Sequence, residues 1–177
     1  MKRRGWLIAG AGAAAAVAGV GWRGWSETRR EAGLDAETGG LWHRRFARPD
    51  GSELVMADWR GQPLLVNFWA TWCPPCIREM PEIDRFHREF GPRGWRVLGL
   101  AVDRVEPVRE FLARQPVAYA IGMAGLEGTE LSRQLGNDKG GLPFTVLFGR
   151  DGRVAQRKLG ETNFEELARW AGAIAAR

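Results

Sequence analysis

Apolar and polar positions change their period several times along the chain, and each change marks an element. Leu64-Leu65-Val66-Asn67-Phe68-Trp69-Ala70 is apolar at six of seven positions and predicts a strand buried on both faces. Residues 77–90 follow helical spacing until Gly91-Pro92-Arg93-Gly94 breaks them, and residues 95–102 form a second apolar run. A short amphipathic helix over 107–114, a short strand over 117–121 and one or two helical turns over 129–135 come next. Strands over 145–148 and 154–159 flank the turn signal Arg150-Asp151-Gly152, and Asn163 caps a last helix over 164–175. That helix carries Phe164, Leu167, Trp170 and Ile174 on one face. Upstream, weak alternation over 41–48 and 53–57 brackets Pro49-Asp50-Gly51, which predicts another hairpin. Strands alternating with helices before a closing hairpin and helix predict an α/β fold, a central mixed sheet flanked by helices on both faces.

Two N-terminal stretches stand apart. Lys2-Arg3-Arg4 is a basic start, and residues 5–20 carry no charge and are rich in alanine. Trp6 lies at one edge of that stretch, Trp22 and Trp25 at the other, where interfacial aromatics belong. Residues 1–25 therefore read as a membrane anchor or an export signal. Ala16-Val17-Ala18 offers a cleavage site, while the flanking tryptophans favour an uncleaved anchor. Arg3-Arg4-Gly5-Trp6-Leu7 also faintly resembles a twin-arginine signal. Either way, the rest of the chain is expected on the periplasmic side. Residues 26–40 are charged and glycine-containing with no apolar period, and read as a linker. Residues 41–177 make one domain.

Composition adds little beyond this division. Of 177 residues, 45% are apolar, enough for a core, and the formal net charge is +5. No basic run with interleaved aromatics points to nucleic acid.

The chemistry lies in Trp72-Cys73-Pro74-Pro75-Cys76, which contains both cysteines of the chain. A C-x-x-C pair at a strand-to-helix junction suits thiol–disulfide exchange. The first sulfur then sits where unpaired N–H groups and the positive end of the helix dipole favour a thiolate. Cys73 is the expected nucleophile and Cys76 the shielded resolving thiol. Pro74 and Pro75 fit the first helical turn. They also remove two donors from the Cys73 sulfur, which predicts mild acidification and a couple that donates electrons. A zinc site needs four ligands, and only His43 and His87 are available besides. A purely structural disulfide would close too short a loop to stabilise much.

With these residues in view, the chain resembles the thioredoxin superfamily, closest to its membrane-tethered extracytoplasmic branch of TlpA-like, ResA-like and cytochrome c maturation proteins. The resemblance covers residues 41–177. It rests on the run from Leu65 to Cys76, on Arg78-Glu79-Met80-Pro81, and on Gly141-Leu142-Pro143-Phe144-Thr145 before Arg150-Asp151-Gly152. It implies a thioredoxin fold with an N-terminal β-hairpin and a strand–helix insertion, here over 106–136. Pro143 aligns with the family's cis-proline, which packs against the dithiol and leaves the Leu142 backbone free to pair with substrate. Glu79 aligns with a glutamate that tunes thiol acidity and relays protons; a helix-surface carboxylate is the alternative. Asn67 replaces the buried aspartate of cytoplasmic thioredoxins, which shifts base work to Glu79 or solvent. Trp72, Pro74 and Pro75 would shape the docking surface, and Pro81 would kink the helix.

The resemblance thus implies a protein-disulfide reductase without a cofactor, recharged by an inner-membrane electron donor. Its clients would be apocytochrome c or copper-site assembly proteins. Two other readings stay open at this point. One is a metal-delivery or client-binding module. The other is a peroxiredoxin-like peroxidase, although here the first cysteine opens a C-x-x-C rather than standing alone.

Overall fold

The structure, a computed structural model, describes residues 25–175. The reading of residues 1–25 as anchor or signal therefore falls, but for Trp25, outside the described residues. Among those described, no helix is long and apolar enough to cross a membrane.

The strands are β1 (Arg45–Ala47), β2 (Glu53–Val55), β3 (Leu64–Trp69), β4 (Arg96–Ala101), β5 (Ala120–Met123), β6 (Phe144–Phe148) and β7 (Val154–Leu159). They form one seven-stranded sheet in the order β2-β1-β5-β4-β3-β6-β7. β3 runs parallel to β4 and antiparallel to β6, while β5 runs parallel to β4. β1 closes the other side, antiparallel to both β2 and β5. Helices α2 (Pro74–Phe90), α3 (Val105–Arg114), α4 (Glu127–Gln134) and α5 (Phe164–Ala175) connect and cover these strands. This mixed sheet with helices on both faces is what the alternation of elements predicts, and it is the thioredoxin fold that the resemblance implies.

β3 explains the two-sided core. All six of its residues are buried, and their side chains alternate between faces. Leu65 and Trp69 join a cluster with Met80, Ile83 and Phe86 of α2, Val108 and Phe111 of α3, and Leu167 of α5. Leu64, Val66 and Phe68 join the opposite cluster with Trp42, Phe46, Leu98 and Leu131. Asn67 falls on the α2 face, the polar interruption in an otherwise apolar strand.

Three local readings differ from the structure. Residues 25–38 are helical rather than a linker, and form α1. The segment lacks a repeating apolar stripe, and Leu34 and Thr38 are its two buried residues. Leu34 enters the core beside Trp42, and Glu37 accepts from the Val154 N–H and the Arg153 side chain (3.0 and 2.8 Å). The expected strand over 117–121 lies further on, as β5. Gly122 ends the apolar run in sequence, yet it pairs with Leu100 within the strand, and glycine fits there because a Cβ would meet Leu100 Cδ2 at 3.1 Å and Phe46 Cβ at 3.2 Å. The N-terminal hairpin is present but short, its flanks wound into 3-10 turns at Leu41–His43 and Met56–Trp59. Its turn is fixed by Asp50, whose side chain accepts from the Ser52 N–H at 2.9 Å. Asn163 caps α5 as expected, accepting from the Glu166 N–H at 2.9 Å.

Because Leu34 is 6% exposed, Leu34→Ala is expected to destabilise the domain by about 2–4 kcal/mol in denaturant titrations. A change within about 0.5 kcal/mol, the usual range for a surface site, would mean that α1 does not pack on the core in solution.

Candidate active site

The chain leaves β3 at Trp69 and turns into α2 through a tightly held loop. Thr71 donates both its N–H (2.9 Å) and its hydroxyl (2.6 Å) to Asp103 Oδ2, at the end of the neighbouring strand β4. The Cys73 N–H then donates to the Ala70 carbonyl at 3.2 Å. These bonds place Cys73 at the N-cap of α2, with Pro74 and Pro75 in the first helical positions. Neither proline has an N–H to offer, so the head of the helix carries fewer donors than usual.

Cys73 and Cys76 are joined by a disulfide with their Cα atoms 5.3 Å apart. Cys76 is fully buried and Cys73 is 5% exposed. Beside them Trp72 is 65% exposed, an unusual position for so large an aromatic, and Pro74 is exposed as well. Leu142 and Pro143 arrive from the other side. The Leu142–Pro143 peptide is cis. Register places it at the dithiol end of the sheet, since the next residue, Phe144, pairs with Phe68 of β3. Leu142 packs, half-buried, against the cluster that contains both cysteines.

Glu79 lies one helical turn beyond Cys76, on the same side of α2. It is wholly buried, so the alternative of a surface carboxylate does not describe it. Its Oε1 accepts from Asn67 Nδ2 at 2.7 Å, and its Oε2 from the Thr162 N–H at 2.8 Å. Asn67 Nδ2 also donates to Thr145 Oγ1 at 3.1 Å. Burial is the largest influence on the carboxyl and pushes its pKa up from 4.5 to about 7. The two donors oppose this shift, Glu161 nearby adds to it and Lys158 lessens it. Glu161 itself is paired with Arg78 at 2.6 Å on the surface.

The sequence brought forward Cys73, Cys76, Glu79, Pro143, Leu142, Trp72, Pro74 and Pro75, and all eight lie at this end of the sheet. It did not bring forward Thr162, Thr145 and Asp103. Thr162 contributes a backbone N–H, which no side-chain pattern reveals. Asn67 was singled out for what it replaces, not as the donor that holds Glu79. Its place on the α2 face of β3, opposite an inward glutamate, was the available signal. Among the described residues, no group of three or more His, Cys, Asp or Glu side chains could hold a metal ion.

The sequence profile of the Redoxin family matches residues 43–171, nearly the whole described fold. The chain belongs to the Redoxin family. Within it, the chain is 28% identical over 119 residues to the thiol-disulfide oxidoreductase ResA of Bacillus cereus, covering 67% of this chain and 66% of that protein. The chain thus spans just under two thirds of that relative's length. It is 32% identical over 122 residues to ResA of Geobacillus kaustophilus, covering 67% of each. Among solved structures, a thiol:disulfide interchange protein of the thioredoxin family from Chlorobium tepidum superposes with a TM-score of 0.65 at 27% identity. That match covers 74% of this chain and 92% of the other. The Redoxin match and this likeness agree with the sheet order and with the cysteine pair at the head of α2.

Proposed function

We propose that this Redoxin-family chain is an extracytoplasmic thiol–disulfide oxidoreductase that reduces client disulfides. The observation that carries the reading is the Cys73–Cys76 pair at the head of α2, with Cys76 fully buried and the buried Glu79 one helical turn beyond it. In the dithiol form, the Cys73 thiolate attacks one sulfur of a client disulfide. A Cys73–client bond forms, and the other client sulfur leaves as a thiolate. Cys76 then loses its proton and attacks Cys73 Sγ, re-forming the internal disulfide and releasing the second client thiolate. Two electrons pass to the client, and an inner-membrane donor returns them to the pair. Glu79 is the residue that takes the Cys76 proton, because a carboxyl near pKa 7 is partly ionised at neutral pH. Exposed Trp72 and the Leu142–Pro143 corner form the client-facing surface. Pro74 and Pro75 support the reductive direction, since they leave fewer N–H groups to stabilise the Cys73 thiolate.

Residues 1–25 act as the membrane anchor and hold the domain on the periplasmic side. The support is the basic start followed by an uncharged stretch between tryptophans. The clients are apocytochrome c or copper-site assembly proteins, as the resemblance to the tethered branch implies.

The test is a trap. Cys76→Ser in the full chain is expected to stall as a Cys73–client mixed disulfide, seen as a shift on non-reducing gels that collapses on reduction. Mass spectrometry then names the client. If the exported, folded variant carries no partner on Cys73, the exchange mechanism fails.

A further inference from the structure

The end of the sheet opposite the dithiol has chemistry of its own. β3 and β4 start there, α2 ends there and runs into a 3-10 turn at Gly91–Arg93, and the β6–β7 turn closes it. Four arginines converge on this end. Arg48 and Arg96 line a cavity of about 730 Å³ with Trp59, Trp95 and Tyr119. Arg93 and Arg150 line a second one of about 640 Å³, and Trp95 forms the wall common to both. Arg150 lies close to the boundary between them, its Nη2 standing 3.8 Å from where a Cβ on Gly94 would sit.

None of the four makes an ion pair among the described residues. Arg96 is held against Trp59 (5.0 Å to the ring centre) and donates to Gln62 Oε1 at 2.7 Å, and Arg93 lies 4.8 Å over Phe90. These contacts orient the guanidinium groups without neutralising them. The neighbouring carboxylates are largely engaged elsewhere: Asp84 with Arg88, Glu37 with Arg153, Glu31 with Arg60. Asp50 near Arg48 accepts from Ser52, and Asp151 accepts from the Arg153 N–H. Tyr119, 4% exposed, adds a buried hydroxyl with no partner at the cavity.

The described chain also begins at this end. Glu31 of α1 meets Arg60, just before β3, and Glu27 and Arg30 share a third cavity with Asp151 of the β6–β7 turn. Residues 1–24, with their basic start and uncharged stretch, therefore join the domain on the arginine side. We propose that this arginine-lined end is a docking face for an anionic phospholipid surface, with headgroup phosphates between Arg48, Arg93, Arg96 and Arg150. The proposal rests on the anchor reading given above and adds an orientation to it. The six residues of β3, at about 3.3 Å each, would hold the dithiol roughly 20 Å further from the bilayer than the arginines.

The full chain, reconstituted into vesicles of phosphatidylglycerol or of phosphatidylcholine, tests this by phenylglyoxal modification of arginine read by mass spectrometry. In phosphatidylglycerol the four arginines are expected to react at least threefold more slowly, about the effect of a favourable contact with an anionic surface. Arg104, exposed at the dithiol end, should react equally in both. The protection should vanish near 0.5 M salt, where screening shortens electrostatic reach to a few ångströms (about 3 Å at 1 M). Equal reactivity in both lipids, or equal protection of Arg104, overturns the docking face. Equal protection by inorganic phosphate added to phosphatidylcholine vesicles overturns it too, in favour of a free-anion site. Flotation with phosphatidylcholine vesicles in high salt reads the anchor alone. A chain that fails to float there removes the anchor and the docking face with it, whereas one that floats without protection removes only the docking face.

Discussion

Cys73→Ser is expected to lower disulfide-reducing turnover by roughly a thousandfold or more, because removing a nucleophile that acts as part of a unit removes nearly all of the rate. A serine hydroxyl cannot form the mixed disulfide, and Cys76 cannot substitute for it. Cys76 is fully buried beneath the first turn of α2, out of reach of a protein disulfide. Turnover measured on a model disulfide protein, with a chemical reductant recharging the pair, reads this directly. Retention of activity within tenfold of the parent would mean that the Cys73 sulfur is not the attacking one. The variant should fold normally, since the position sits at the helix cap and serine is a favourable capping residue.

Glu79→Gln is expected to produce the second-largest effect, and to show it in two measurements. The first is stability against pH. The carboxyl has a pKa of about 7 in the fold against an ordinary 4.5, so between those values the folded state binds more protons than the unfolded chain. Stability associated with Glu79 is therefore full below about pH 4.5 and is lost as pH rises through 7. The shift corresponds to about 3 kcal/mol. Denaturant titrations of the parent should show a decline of that order between pH 5 and 8, and the glutamine variant should lack it. Asn67 can accommodate the new amide by presenting its carbonyl oxygen in place of its nitrogen. The second measurement is the resolving step. With no base below Cys76, release of client should slow on the order of a hundredfold, and the rate should lose its inflection near pH 7. An unaltered pH profile in the variant would assign Glu79 a structural role only.

How far the sequence disclosed this molecule differs from element to element. The central strand, the helix after it and the closing hairpin were legible because each carries an unambiguous period and is bounded by Gly, Pro or Asp-Gly signals. α1 was not legible, because two anchoring residues, Leu34 and Thr38, do not make a period, and its seating depends on nearby Trp42 and on Arg153 far along the chain. The displacement of β5 has a similar origin: Gly122 looks like a breaker until Leu100 and Phe46 are known to press on it. At the active site the two thiols and Pro143 were visible as motifs. The burial of Glu79 depended on which face of β3 holds Asn67 and on a backbone N–H from Thr162, and only the assembled sheet brings these together.

The sheet order carries a consequence for how the protein is made. Trp42, in the first turn after α1, donates its indole N–H to the carbonyl of Gly152 at 3.0 Å, 110 residues downstream. β1 has no partner beyond β2 until β5 exists, and β3 lacks one flank until β6 arrives. The five strands made first are neighbours in the sheet, yet the β3 edge stays unpaired and Trp42 lacks its acceptor until the β6–β7 hairpin has been synthesised. The last hairpin to emerge is therefore expected to complete the core that the earlier strands leave open on one side.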